Sequence, residues 1–198
     1  MGPTATQRLT YREYLDLERE TDMRHEFLNG EAWAMAGGTV RHSRLKTRLL
    51  LQVGTSIGDG RCEPFDSDLK VRVLSTGLAT YPDLTVVCDG DERHPEDPEA
   101  ITNPSLLAEV LSPTTEAWDR GGKALHYRQI ATLQHYLLVR VDAPHIEYHR
   151  RQEDGSWRLT DHRAGDVLSI PELGVRIDLD ALYRGLPEDP PPSEPSTD

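Results

Sequence analysis

A carboxylate set inside an apolar strand limits the folding of this chain more than any other feature. Leu106 to Leu111 reads as a β-rich apolar run, and Glu109 lies within it. A charge placed there is costly unless a cation, a metal or hydrogen bonds satisfy it. A second such run, Asp83 to Cys88, opens on an aspartate directly after Tyr81-Pro82. Two carboxylates on neighbouring strands form an oxygen-ligand pair of the kind Mg²⁺ takes, since that ion binds one or two carboxylates and keeps several waters. A nearby lysine then orients or deprotonates an attacking water, or stabilises charge on a phosphoryl group. The structural alternatives are a turn role for Asp83 after its proline and an ion pair of Glu109 with Lys123 or Arg120.

Around these two strands the pattern predicts a mixed β-sheet flanked by helices, an α/β protein of the α+β type. Thr10-Tyr11-Arg12-Glu13 is a capping box, with Leu9 and Tyr14 placed as a hydrophobic staple, so a helix runs from about Tyr11 to Glu18. His25 to Met35 is a hairpin turning on Asn29-Gly30, the pair suited to a type I′ turn. With a two-residue turn Leu28 faces Glu31 and Glu26 faces Trp33, which puts both acids on one side. Leu45, Leu49, Val53 and Ile57 recur at spacing four and mark one face of a helix over 40–57. Asp68 to Leu74 alternates and predicts a half-buried strand. Residues 89–104, with six acids and three prolines, predict a loop. After Pro113 a helix over Asp119 to Ile130 is weakened by Gly121-Gly122, and Asp119 is placed as its N-cap. Strands follow at His135–Val141, Ile146–Arg150 and Trp157–Thr160.

The longest unbroken apolar run, Ala32 to Ala36, has five residues, against the ~20 of a membrane-spanning helix. No apolar stretch of the signal-peptide kind opens the chain. Cys62 and Cys88 are too few for a disulfide framework and have no second pair for a zinc site, so Cys88 is assigned to the core. A reduced, cytoplasmic protein is expected. One domain spans 1–186; residues 187–198, with five prolines and four acids, are expected to be a disordered tail. The net charge of −12 argues against a protein that coats nucleic acid by charge alone. Yet residues 32–58 carry Arg41, Arg44, Lys46 and Arg48 and no acid, and Arg41, Arg44 and Arg48 share helical spacing. They form either a solvated face or a phosphate-contacting stripe. His42, three residues before Leu45, falls on the apolar face, as a packed core histidine or a site residue.

The ordered set Glu26 through Asn29-Gly30-Glu31, Met35-Ala36-Gly37-Gly38 to His42, Tyr81-Pro82-Asp83, Glu109-Val110-Leu111-Ser112-Pro113, Asp119-Arg120, Lys123 and Tyr127 resembles the Uma2 family (DUF820) of the restriction-endonuclease-like PD-(D/E)XK superfamily, over about residues 7–185. The resemblance implies a restriction-endonuclease-like core and a Mg²⁺ site, with Mn²⁺ as a substitute, on Asp83 and Glu109. The superfamily lysine, two residues after the glutamate, is replaced here by Leu111, and the family pattern moves it to Lys123 in the following helix. The implied activity is metal-dependent hydrolysis of DNA phosphodiesters, with Lys123 assisting the attacking water and Glu31 and His42 completing the site. A homodimer is the implied assembly for cutting two strands. The rivals are a binding module for nucleic acid or protein with the same fold, and a hydrolase of another phosphate ester.

Overall fold

The computed structural model describes residues 8–35 and 37–187; the expected tail lies, but for Pro187, outside the described residues. Helix α1 (Tyr11–Glu20) begins with the expected capping box, Thr10 and Glu13 bonding each other's backbone N–H. Strands β1 (His25–Leu28) and β2 (Glu31–Ala34) form the hairpin. Asn29 and Gly30 sit at φ 54° and 86°, both in the left-handed region a type I′ turn requires, and Leu28 opposes Glu31 as Glu26 opposes Trp33. Helix α2 (Val40–Ile57) starts at Thr39, whose hydroxyl accepts the His42 N–H, and buries Leu45, Leu49 and Val53.

Then come β3 (Cys62–Phe65), β4 (Lys70–Val73), β5 (Leu78–Thr80), β6 (Leu84–Cys88), β7 (Arg93–His94), β8 (Asp97–Ile101) and β9 (Pro104–Leu111). A helix over residues 116–127 follows; its Trp118–Lys123 part is a π-helix and its end is α3 (Ala124–Tyr127). β10 (His135–Arg140), β11 (His145–Arg151), β12 (Trp157–Arg163), the hairpin β13 (Val167–Ile170) and β14 (Val175–Asp178), and α4 (Leu179–Tyr183) complete the order.

The strands form two six-stranded sheets, ordered β2-β1-β5-β4-β8-β7 and β12-β11-β10-β9-β6-β3. Both are mixed, because β4 runs parallel to β8 and β9 parallel to β10 while the other pairs are antiparallel. Strand β9 is central and buried on both faces, as parallel strands usually are. Leu106, Ala108 and Val110 face a core closed by α2, β13, β14 and α4. Leu107 and Leu111 face a second core, shared with Val71, Val73 and Leu78 of the other sheet and with Tyr127. Period-two alternation therefore aims Glu109 into this second core.

Three expectations are corrected. Strand β4 is fully buried rather than half-buried: its charged residues lie under α1, where Lys70 pairs with Asp97 at 2.9 Å and Arg72 stacks 3.8 Å from the Tyr11 ring. The acid-rich stretch 89–104 is not a loop but holds β7 and β8, because Asp97 is neutralised by Lys70 and also accepts the Tyr11 hydroxyl. Cys62 and Cys88 are not a reduced pair; they stand directly opposite on β3 and β6 and form a disulfide. The cytoplasmic expectation thereby loses the support of unpaired thiols. Among the described residues no helix is long and apolar enough to cross a membrane.

One buried histidine gives the fold a predictable acid sensitivity. His135 in β10 is 2 % exposed and meets the Tyr148 hydroxyl at 2.8 Å. Burial pushes its imidazole down to about 4; Glu172 pulls the other way and Arg150 adds to the drop. In the unfolded chain the same group titrates near 6.5. The unfolded state thus binds the extra proton first, so this stabilisation is complete above pH 6.5 and fades as pH falls toward 4. Urea midpoints should show wild type losing roughly 2–3 kcal/mol from this group between pH 7.5 and 4.5, a component absent from His135→Gln.

Candidate active site

The cleft is built where β9 outruns its neighbour β6. Their pairing ends at Leu84 opposite Ala108, so the peptide of Val110 has no strand partner on that side. Buried backbone groups must be satisfied, and two side chains do it: Asp83, just ahead of β6, accepts the Val110 N–H at 2.8 Å, and His42 of α2 donates from Nε2 to the Val110 carbonyl at 2.9 Å. The same His42 nitrogen stands 3.5 Å from Asp83, and Lys46 stands 3.8 Å from the other Asp83 oxygen. Burial would raise the Asp83 carboxyl, but His42, the Val110 N–H and Lys46 outweigh it and hold it below the usual range. His42 is raised in turn: burial opposes its charge, while Asp83 and the Val110 carbonyl more than offset that.

Glu109 is 3 % exposed, and its Oε1 accepts the Tyr127 hydroxyl at 2.7 Å and meets the Lys123 ammonium at 3.2 Å. Burial pushes its carboxyl well up; Lys123 and Tyr127 draw it down, while Asp119 and Asp83 add to the rise. Lys123 also contacts Glu26 at 2.8 Å and Asp119 at 3.1 Å. Burial works against the ammonium, but Glu109, Glu26 and Asp119 together hold it charged well above its ordinary range. Such a lysine offers charge and hydrogen bonds rather than taking a proton.

Glu26 is the residue whose importance sequence reasoning underrated. It is buried in β1; one oxygen accepts the indole N–H groups of Trp33 and Trp118, both at 3.1 Å, and the other takes the Thr80 hydroxyl and Lys123. The Asn-Gly turn register sets Glu26 opposite Trp33, and that part of its environment was legible in the sequence. Its companion Glu31 is exposed at the strand end and does not line the cleft, so the structure does not bring it to the site. Asp119 is corrected too. The helical turn begins earlier, with Ser112 accepting the Thr115 N–H at 3.2 Å, and Asp119 is buried about two turns further on. Burial raises its carboxyl, against the pull of Lys123 and Thr115.

The π-helical turn explains the Gly121-Gly122 pair. A Cβ on Gly122 would lie 1.8 Å from a ring carbon of Trp118, so only glycine lets that indole fold back to Glu26. π-Turns recur at functional sites because the extra residue re-aims side chains, here Asp119 and Lys123.

The resulting cleft encloses about 770 Å³. It is lined by Asp83, Glu109 and Val110, by Gly37, Gly38 and His42 at the start of α2, and by Ser112 to Thr115, with Asp119 and Lys123 also lining it. Arg41 lines it as well, but its guanidinium donates to the carbonyls of Val141 at 2.5 Å and Pro187 at 2.8 Å. Arg48 similarly donates to Leu182 and Arg184 carbonyls at the end of α4. Of the three arginines expected as a phosphate stripe, these two are structural ties and Arg44 is the exposed one. A further group escaped the sequence reading: His145, Glu147 and Asp161 of β11 and β12 have ligand atoms within 4.8 Å of one another. There His145 meets Asp161 at 2.5 Å and Glu147 is paired with Arg120.

The architecture is of the mixed α+β class, two mixed sheets with flanking helices. It is similar to a crystal structure described as a "putative nuclease belonging to DUF820" from Anabaena variabilis, with a TM-score of 0.71 at 18 % identity, covering 88 % of this chain and 97 % of that one. That likeness is one of fold. The chain belongs to the Uma2 family, described as "Putative restriction endonuclease", whose model matches residues 11–181. Two relatives come from Synechocystis sp., the uncharacterized proteins slr1290 and sll1609. The first is 38 % identical, covering 90 % of this chain and 93 % of the relative; the second is 35 % identical, covering 81 % and 91 %.

Proposed function

We propose that this Uma2 protein is an endonuclease that hydrolyses DNA phosphodiesters with Mg²⁺ or Mn²⁺ held by Asp83 and Glu109. The observation that carries this reading is the meeting of these two carboxylates, from the ends of adjacent strands, in one cleft with the charged Lys123. The donor set suits a hard divalent cation. Asp83 is held ionised, and one of its oxygens makes no hydrogen bond among the described residues. Burial pushes the Glu109 carboxyl well up even though Lys123 draws it down, so a further cation beside it would be favoured. When bound there, the ion supplies Lewis-acid charge to a phosphoryl oxygen and lowers the pKa of a bound water.

The chain's own groups act around it. The Val110 N–H and His42 fix the orientation of Asp83. Tyr127 fixes that of Glu109. Lys123, kept protonated, stabilises negative charge developing on the phosphoryl group and orients the attacking water by donating to it. The hydroxyls of Ser112, Thr114 and Thr115 line the cleft a phosphodiester backbone would enter.

Calorimetric titration of Mg²⁺ and Mn²⁺, paired with a plasmid-nicking assay, tests the reading. Wild type should bind and nick; Asp83→Ala and Glu109→Ala should each lose metal affinity and nick roughly 10²–10³-fold more slowly. Metal binding without nicking on any DNA would turn the assignment to a binding module. Hydrolysis of bis(p-nitrophenyl) phosphate but not of DNA would turn it to another phosphate ester. Absence of metal binding in wild type, with DNA present, would overturn it.

A further inference from the structure

The surroundings of Lys123 are unusual for a lysine. Its ammonium touches three carboxylates from three elements, Glu26 of β1 at 2.8 Å, Asp119 of the π-turn at 3.1 Å and Glu109 of β9 at 3.2 Å. All four side chains are at most 6 % exposed. One carboxylate would balance the charge of the lysine; three leave the buried group with more negative than positive charge, which is costly unless a stronger cation is present. Asp119 adds a second sign. Its Oδ1 is buried and accepts no hydrogen bond among the described residues, yet it is aimed at the ammonium. The donors are all hard oxygens, the chemistry that selects Mg²⁺ or Mn²⁺ over softer metals.

We propose that Glu26, Asp119 and Glu109 form a divalent-cation site that the Lys123 ammonium occupies, so that lysine stands in the place of a second metal ion. Glu109 then bridges two cation positions, an exchangeable one beside Asp83 and an internal one filled by the chain itself. Hydrolases with paired metals about 3.5–4 Å apart clamp both oxygens of an in-line displacement; here one half of that clamp is covalently tethered. Carboxylates that meet an ammonium at 2.8–3.2 Å need move inward by only about 1 Å to reach Mg²⁺-type distances, within the reach of side-chain rotation. The first cation position rests on the function proposed above; the internal one rests on this geometry alone.

The test is Mn²⁺ titration, followed by calorimetry and by electron paramagnetic resonance of free Mn²⁺. Wild type should bind one Mn²⁺ and Lys123→Met two. In Asp83→Asn/Lys123→Met one should remain, and Glu26→Gln/Lys123→Met should bind its internal Mn²⁺ at least tenfold more weakly than Lys123→Met. A folded Lys123→Met that binds no more Mn²⁺ than wild type overturns the proposal. Should Lys123→Met be unfolded without metal, refolding on adding millimolar Mn²⁺, seen by circular dichroism, supports it, and failure to refold overturns it. If wild type binds none while Lys123→Met binds one, the endonuclease reading fails and the internal site stands.

Discussion

Gly122→Ala should destabilise this protein by roughly 3 kcal/mol, whereas Gly121→Ala, one residue away, should leave it unchanged or up to about 1 kcal/mol more stable. Alanine in a helix is ordinarily the better residue, so helix propensity alone predicts a gain at both positions. The packing reverses the sign at one. A methyl on Gly122 would lie 1.8 and 2.0 Å from two ring carbons of Trp118, while one on Gly121 meets nothing within 4 Å. The indole must leave, and with it goes its hydrogen bond to the buried Glu26 carboxylate, a charged contact worth about 1.5–3 kcal/mol. Lys123 sits on the same turn and shares the same glutamate, so nicking should fall together with stability in Gly122→Ala and in neither respect in Gly121→Ala. Urea unfolding followed by tryptophan fluorescence measures the first effect and plasmid nicking the second. Equal stability of the two variants would refute this account of the π-turn.

Reduction of the Cys62–Cys88 disulfide should lower the melting temperature by about 7–14 °C without weakening metal binding at Asp83. The bridge closes a loop with a sequence separation of 26. The chain-entropy estimate for such a loop is about 3–4 kcal/mol, and a protein of this size loses about 2–4 °C for each kcal/mol. The separation of the two effects follows from β6: Asp83 precedes its first residue, Leu84, and Cys88 is its last. At about 3.3 Å per residue the bridge lies at the far end of the strand from the cleft. Calorimetric melting with and without a reductant, and with Cys62→Ser/Cys88→Ser, gives the first number; Mn²⁺ titration of the reduced protein gives the second. A reduced protein with unchanged melting but lost metal affinity would contradict both parts.

The elements that were legible in the sequence are those whose signals are local. The capping box at Thr10, the Asn29-Gly30 turn with its register and the α2 stripe of Leu45, Leu49 and Val53 each depend on neighbours a few residues apart. The placement of Lys123 against Glu109, 14 positions apart, was legible on another ground: a costly charge in an apolar strand demands a partner, and the resemblance named one. What stayed hidden depends on distant neighbours. The acids of 89–104 resembled a loop until Lys70, 27 positions before Asp97, supplied the charge that lets β8 form. Asp119 looked like a cap because caps favour aspartate, although Ser112-Pro113 is itself a local start signal, a cap residue followed by a proline suited to the first turn. Residues 167–179 do alternate, in Leu168-Ser169-Ile170 and in Val175-Arg176-Ile177-Asp178, a local strand signal that went unread; what it leaves out is that β14 and α4 pack beside α2, more than a hundred positions earlier in the chain.

The two arginine ties of α2 carry a consequence for the order in which the cleft comes into being during synthesis. Arg41 and Arg48 find their carbonyl partners at Val141, Leu182, Arg184 and Pro187. The part of the cleft bearing His42 is therefore fastened by residues that leave the ribosome about a hundred or more positions after it. Glu109 waits as well, since β9 is a central strand only once β10 has emerged to pair with it. A nascent chain carries every candidate active-site residue by Lys123 and still lacks the scaffold that brings them together. For a protein whose proposed substrate is DNA, that postpones assembly of the cleft until translation of its fold is nearly finished.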